Sequence, residues 1–227
     1  MSADVLSGIA WTTGLIAFVG GPLLLMIVHG IKASNADRER KERLWQWARA
    51  NGWQIQEHAL VPWTDRLPGR RRQGLGVMVT GMIGGRWVTI AEYTYTDTET
   101  TQHYVVVRIM LDRPHPSVAV ERRGLGSQFE RALFGDKPTA TGNVLFDSCY
   151  AITAPDRSAA KTLVGPPLIA AHIEGRLPSW SLLGNELLTY TTAGKFQHPN
   201  QILAYAGPLL RVADLLGPTD FSAPADR

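Results

Sequence analysis

The stretch VMVTGMIGGRWVTIAEYTY, residues 77–95, decides the fold. Two runs rich in β-branched and aromatic residues, Val77–Ile83 and Arg86–Tyr95, flank Gly84-Gly85. Two glycines between such runs signal a tight hairpin, because a two-residue turn of the right twist needs positive φ at both positions. With that turn in place, Ile83 pairs with Arg86, Val79 with Ile90 and Val77 with Glu92. A third run, Gln102–Leu111, closes a second hairpin around Thr98-Glu99, so that Ile90 meets Val107 and Val88 meets Ile109. Both turns independently put Val79, Val88, Ile90, Val105, Val107 and Ile109 on one face. Such agreement predicts an antiparallel meander with that face inward. The reverse face carries Met78, Trp87, Ala91, Tyr93, Tyr104, Val106 and Met110. It is too apolar to stand bare, and helices or a partner are expected over it.

Working outward, the pattern becomes mixed. Residues 36–51 read as a helix capped by Asn35 and stopped by Gly52, with a short strand at Trp53–Gln56. Ser117–Glu121 reads as a fourth strand after a turn at Pro114 and Pro116. Gln128–Leu133 reads as a short helix and Val144–Ile152 as one or two strands. Thr153 is expected to cap a helix with Pro155 in its first turn. Gly165-Pro166-Pro167 ends that helix and opens another, to about Glu174. Trp180–Leu183 and Glu186–Tyr190 flank Gly184-Asn185, a further hairpin signal. A last helix starts near Pro199, with Ile202, Ala206, Leu209, Ala213 and Leu216 on one stripe, a kink at Pro208 and a stop at Gly217.

The N-terminal segment has another character. No Asp, Glu, Lys or Arg occurs from Leu6 to Ile31. A bilayer core of ~30 Å needs about 20 helical residues, and this run supplies them. Asp4 precedes the run, whereas Lys32, Arg38, Arg40, Lys41 and Arg43 follow it. The positive-inside rule then predicts the N-terminus outside and the rest in the cytoplasm, at the cell's inner (plasma) membrane. A cleaved signal peptide is the rival reading. The missing basic n-region and the length of the run argue against it. The expected organisation is a short extracytoplasmic N-terminus at 1–7, a transmembrane helix at 8–31 and a juxtamembrane helix at 32–52. An α+β cytoplasmic domain at 53–217 and a flexible tail at 218–227 complete it.

Composition narrows the chemistry. The chain has 227 residues, a net charge of +3 and a single cysteine, which excludes an intramolecular disulfide scaffold. There is no phosphate-binding loop, since Gly74-x-Gly76 lacks the third glycine and leads into a strand. Neither a His-Glu-x-x-His nor a Cys-x-x-Cys occurs, so no metal, no cofactor and no catalytic residue is expected. Glu92 and His103 fall diagonally on the meander and form a candidate polar site. A half-buried pair at the rim of a sheet would look the same. Cys149 sits in an apolar stretch with no local cation, which predicts a buried structural thiol, with Asp147 as a turn residue beside it. Arg66, Arg70, Arg71 and Arg72 cluster in a Pro/Gly loop not far along the chain from the anchor. They are candidate contacts for a lipid head group or an acidic partner, and lack the spread of basic and aromatic residues that nucleic acid requires.

Several short elements occur together. Ala48 leads to Gly52-Trp53, and Arg70-Arg71-Arg72 follows. Then come Gly81, Gly85-Arg86, Tyr93-x-Tyr95 and Thr100-Thr101-Gln102-His103. Trp180 and Gly184-Asn185 precede Leu187-Leu188-Thr189. In this the chain resembles an actinobacterial family of single-span, membrane-anchored proteins of uncharacterised function. The resemblance covers most of residues 40–217 and departs around Val144–Cys149. The plan of anchor plus α+β domain is also similar to that of the mycobacterial trehalose-monomycolate transport factors, accessories of a lipid exporter. The anchor, the lack of catalytic constellations and the apolar second face of the sheet point to a binding or adaptor module with a membrane-protein partner. The alternatives are an enzyme on a membrane-associated substrate and an anionic lipid sensor.

Overall fold

The computed structural model describes residues 34–70, 74–97, 100–123 and 139–217. The predicted membrane helix at 8–31, the helix at Gln128–Leu133 and the tail therefore lie outside the described residues. Among the described residues no helix is long and apolar enough to cross a membrane. The chain divides into two compact units, residues 1–46 and 47–227. In the first, the described residues are helical and carry the local ion pairs Arg38–Glu42 at 3.3 Å and Arg40–Asp37 at 3.0 Å. The helix (α1, residues 34–50) has already begun at Ser34, so Asn35 lies inside it rather than capping it.

The second unit is α+β and built on one antiparallel sheet. Its strands are β1 (Gln54–Glu57), β2 (Leu75–Ile83), β3 (Arg86–Thr96), β4 (Thr101–Arg122), β5 (Tyr150–Thr153) and β6 (Trp180–Thr192). Its further helices are α2 (Val144–Cys149), α3 (Arg157–Leu163), α4 (Pro166–Ile173) and α5 (Pro199–Leu216). The order β1-β2-β3-β4-β5 is joined by β6, which pairs with β4.

The meander forms in the predicted register. Ile83 pairs with Arg86, Val79 with Ile90, Ile90 with Val107 and Val88 with Ile109. Gly84 and Gly85 take φ of 57° and 81°, which only glycine adopts at little cost. The Val77–Glu92 pair does not appear in the ladder, because the register shifts between Leu75 and Met78. The inward face is buried throughout, and α5 packs on β3, β4 and β6 with Ile202, Ala206, Leu209, Ala213 and Leu216 all buried. Pro208 sits inside this helix without ending it.

The reverse face is covered differently from the expectation. Met78, Ala91, Tyr93, Tyr104 and Val106 join one apolar cluster with Trp63, Leu67, Ala119 and Leu188. Trp63 belongs to a 3-10 turn at Pro62–Arg66, and Leu67 follows it directly, before a second such turn at Pro68–Arg70. The other two come from the sheet itself. Trp87 stays exposed at the hairpin end.

Two predicted turns prove to be something else. Ser117–Glu121 is no separate strand but the end of a 22-residue β4. Gly184-Asn185 opens no hairpin; it lies within the 13-residue β6. The two long strands stay paired across both sites, with register shifts at His115–Gly184. Between Met110 and His115 the β4 chain spends five residues where β6, from Glu186 to Gly184, spends two. Such bulges bend a ribbon. On its other edge β4 pairs with β3 up to Ile109 and with β5 from Ala119 onward. Pro114 and Pro116 fall between these partners, where the absent N–H removes no ladder bond.

The bend is sharp. Straight strand covers ~3.3 Å per residue, so Ser181 and Glu186 should stand ~17 Å apart. Yet the single guanidinium of Arg66 donates to both carbonyls: Nη2 to Ser181 O at 2.6 Å and Nη1 to Glu186 O at 3.2 Å. The ribbon thus doubles back, and its two arms face each other.

Two further expectations fail locally. Val144–Cys149 is helical because the Asn143 side chain caps it, accepting from Phe146 N at 3.0 Å. Asp147 then ties the preceding loop by accepting from Thr141 N, Thr141 Oγ1 and Gly142 N. The helix after Pro155 is capped by Asp156, not Thr153, whose own residue belongs to β5.

Candidate functional site

Where the doubled ribbon ends, α2 and α4 lie against it and leave a cavity of about 470 Å³. Its wall is drawn from distant parts of the chain. Arg122 comes from the end of β4, Cys149 from α2, Tyr150 from β5, His172 and Ile173 from α4, and Tyr190 and Thr191 from the last residues of β6. The loop that enters β6 adds Leu177, Pro178 and Ser179.

His172 organises the floor. It is fully buried, with its ring centroid 4.7 Å from that of Tyr150 and 5.7 Å from that of Phe146. Trp180 Nε1–H donates to His172 Nε2 at 3.0 Å, and the Tyr150 hydroxyl donates to the His172 carbonyl at 3.0 Å. An accepting Nε2 puts the ring proton on Nδ1. That Nδ1–H is buried and has no hydrogen-bond partner among the described residues. Leaving such a donor unsatisfied costs ~1–3 kcal/mol. Burial lowers the His172 pKa to about 4, so the ring is neutral at physiological pH. Burial also raises the Tyr190 hydroxyl above its ordinary range, with the charge of Glu121 and neighbouring Tyr104 adding to the effect.

The mouth is of mixed character. Leu145 is 66% exposed and Ile173 41% exposed, beside the exposed Cys149 thiol. Cys149 is therefore not the buried structural cysteine its apolar neighbours suggest. It ends the short helix α2, and Ser148 Oγ lies 3.6 Å from its sulfur.

The other sequence candidates fall elsewhere. Arg66 is 4% exposed and bonds Ser181 Oγ as well as the two carbonyls, with Glu186 3.8 Å away. Burial draws its pKa down to about 10, against the pull of Glu186 and with the push of Arg108. This buried geometry corrects the expectation of Arg66 as an exposed loop cation: it fills the inside of the corner. Arg70 is exposed, with φ of 49°, and Arg71 and Arg72 lie outside the described residues. Glu92 is buried on the α5 face and accepts from Phe196 N at 2.8 Å. His103 is exposed on the same face, with Nδ1 3.1 Å from Thr94 Oγ1. Neither lines the cavity described above. Among the described residues no group of His, Cys, Asp and Glu has metal-ligand geometry.

Sequence reasoning passed over Arg122, Tyr150, His172 and Tyr190. The usable signal was a histidine ending a helix eight residues before a tryptophan, both in apolar company.

Fold and site together define an α+β domain formed around a folded two-stranded ribbon. This chain is similar to the crystal structure of the mycobacterial trehalose monomycolate transport factor A, TtfA. The match has a TM-score of 0.52 and 14% sequence identity, and covers 78% of this chain and 93% of that one. At that identity the likeness is one of fold. No protein-family model and no curated protein sequence matches the chain.

Proposed function

We propose that the chain is a membrane-anchored binding or adaptor module, accessory to an envelope-building or transport complex. In this reading residues 8–31 cross the plasma membrane once, the N-terminus lies outside, and the α+β domain works in the cytoplasm beside a membrane-protein partner. The observation that carries it is the fold shared over almost the whole of a protein described as a transport factor. The charge-free run from Leu6 to Ile31, followed by basic residues, supports the anchor.

The test is purification of the tagged full-length chain from its native membrane in mild detergent, after crosslinking, with mass spectrometry of what accompanies it. A reproducible membrane transporter or envelope enzyme is the expected result. A clean chain with no partner would contradict the adaptor role. In that case liposome binding before and after replacing Arg70, Arg71 and Arg72 would examine the lipid-sensing alternative.

A further inference from the structure

We propose that the cavity between the ribbon ends and helices α2 and α4 binds a small amphiphile. Its singly charged anionic head sits on Arg122, and its apolar body lies among Leu145, Tyr150, Ile173 and Leu177. This deepens the reading of the chain as a binding module by giving the module a ligand class and a place to hold it.

Three observations carry the inference. The first is size: about 470 Å³ falls within the ~300–1,000 Å³ typical of small-molecule sites. The second is charge. Arg122 bonds Ser179 Oγ through its backbone N, but its exposed guanidinium has no hydrogen bond or ion pair among the described residues. Its neighbour Arg123, by contrast, is spent on the carbonyls of Asp147 and Tyr150. A lone uncommitted guanidinium on a cavity wall is a recognition element for a carboxylate or a phosphate ester. The third is the apolar surface. Leu145 and Ile173 line the cavity yet remain exposed, and Val144 beside them is more exposed still. An apolar body covers the third feature, and an oxygen-bearing head satisfies the second. Among the described residues of the wall Arg122 is the one always-charged basic group, which favours a single negative charge.

Cys149 gives the experiment a built-in reporter, since it is the chain's one cysteine, is exposed and lines the cavity. The full-length chain is placed in phosphatidylcholine nanodiscs and alkylated with iodoacetamide, and the rate is read by intact mass. Decanoate is the probe and decanol its uncharged control. Decanoate is expected to slow alkylation several-fold. Decanol should need about tenfold higher concentration for the same effect, as the loss of one charge-assisted hydrogen bond implies. Arg122→Gln, referred to its own unprotected rate, should reduce decanoate to the level of decanol without changing the thermal midpoint. Ile173→Arg, at the exposed mouth, should weaken protection by decanol, which has no charge to gain. Discs doped with phosphatidylglycerol separate the sources. Protection without decanoate identifies a bilayer lipid as ligand, and protection only with decanoate identifies a free amphiphile. An alkylation rate indifferent to decanoate would overturn the proposal. So would full protection of the Arg122→Gln variant. A chain that captures no protein partner but shows charge-selective protection would contradict the adaptor role alone.

Discussion

Thr189 Oγ1 donates to the carbonyl of Ser179 at 2.6 Å, although Ser179 immediately precedes β6 and Thr189 lies ten residues further along the chain. Extended chain would separate them by ~33 Å. The bond closes the doubled ribbon near the end where the cavity lies, while Arg66 holds it at the corner. Tyr190 and Thr191 reach the cavity because of this folding, and Arg122 meets them there for the same reason.

Arg66 is the corner's principal polar tie, so its loss should be costly. Arg66→Met leaves the Ser181 and Glu186 carbonyls without their donor and strands Glu186 beside Arg108 alone. The expected cost is ~3–5 kcal/mol in urea unfolding, the range for removing one partner of a buried charged network. Arg66→Lys should recover only part of it, because one ammonium lacks the planar fork that reaches both carbonyls.

Gly81 and Trp53 form one packing unit. A Cβ at Gly81 would run into the Trp53 indole, which also lies 5.3 Å from the Trp47 ring, centroid to centroid. Gly81→Ala should therefore destabilise the domain by ~1–3 kcal/mol through overpacking, seen as a lower midpoint in thermal unfolding. Gly84→Ala, with nothing near its Cβ, should act only through its positive φ.

His172 gives the fold a pH dependence of definite sign. The folded ring holds its proton only below about 4, whereas an unfolded histidine takes one up near 6.5. The contribution is thus complete above pH ~6.5 and is lost as pH falls toward about 4, reaching roughly 3 kcal/mol. His172→Gln, whose amide oxygen can accept from Trp180, should flatten that part of the stability profile relative to the parent chain. Equal slopes in the two proteins would contradict the burial of a neutral ring.

The proposed anchor makes a prediction that does not depend on the domain. Reporter fusions should show the N-terminus outside and the C-terminus inside, and deletion of residues 8–31 should release the domain from the membrane fraction. A deletion that stays membrane-bound would argue against a single span.

The meander could be read from sequence because its information is local. Gly84-Gly85 sets one register, and strict alternation from Val79 to Ile109 repeats it. The corner is not local. Pro114, Pro116 and Gly184-Asn185 do mark where the chain turns, but turn residues alone do not say whether strands part into a hairpin or bend together as a ribbon. That choice is supported by Arg66, 115 residues away from Ser181, and by apolar contact between the arms. The run Val144–Cys149 was misread because a short apolar segment fits helix and strand alike. Asn143, three residues before Phe146, was the cap that distinguishes them. The cavity followed both errors into obscurity, since its wall needs the bend and the helix together.

The doubled ribbon is the claim on which the cavity rests, and one distance tests it. Thr191 pairs with Val105, seventeen residues before Arg122 on β4. In a straight ribbon residues 122 and 191 would stand ~55 Å apart. Nitroxide labels at these two exposed positions, with Cys149 replaced by serine, can be measured by pulsed electron spin resonance in the full-length chain. Both residues line one small cavity, so a short distance, below ~20 Å allowing for the labels' own reach, is the predicted result. A distribution centred near that of the straight strand would contradict the bend, the cavity and the site built on them.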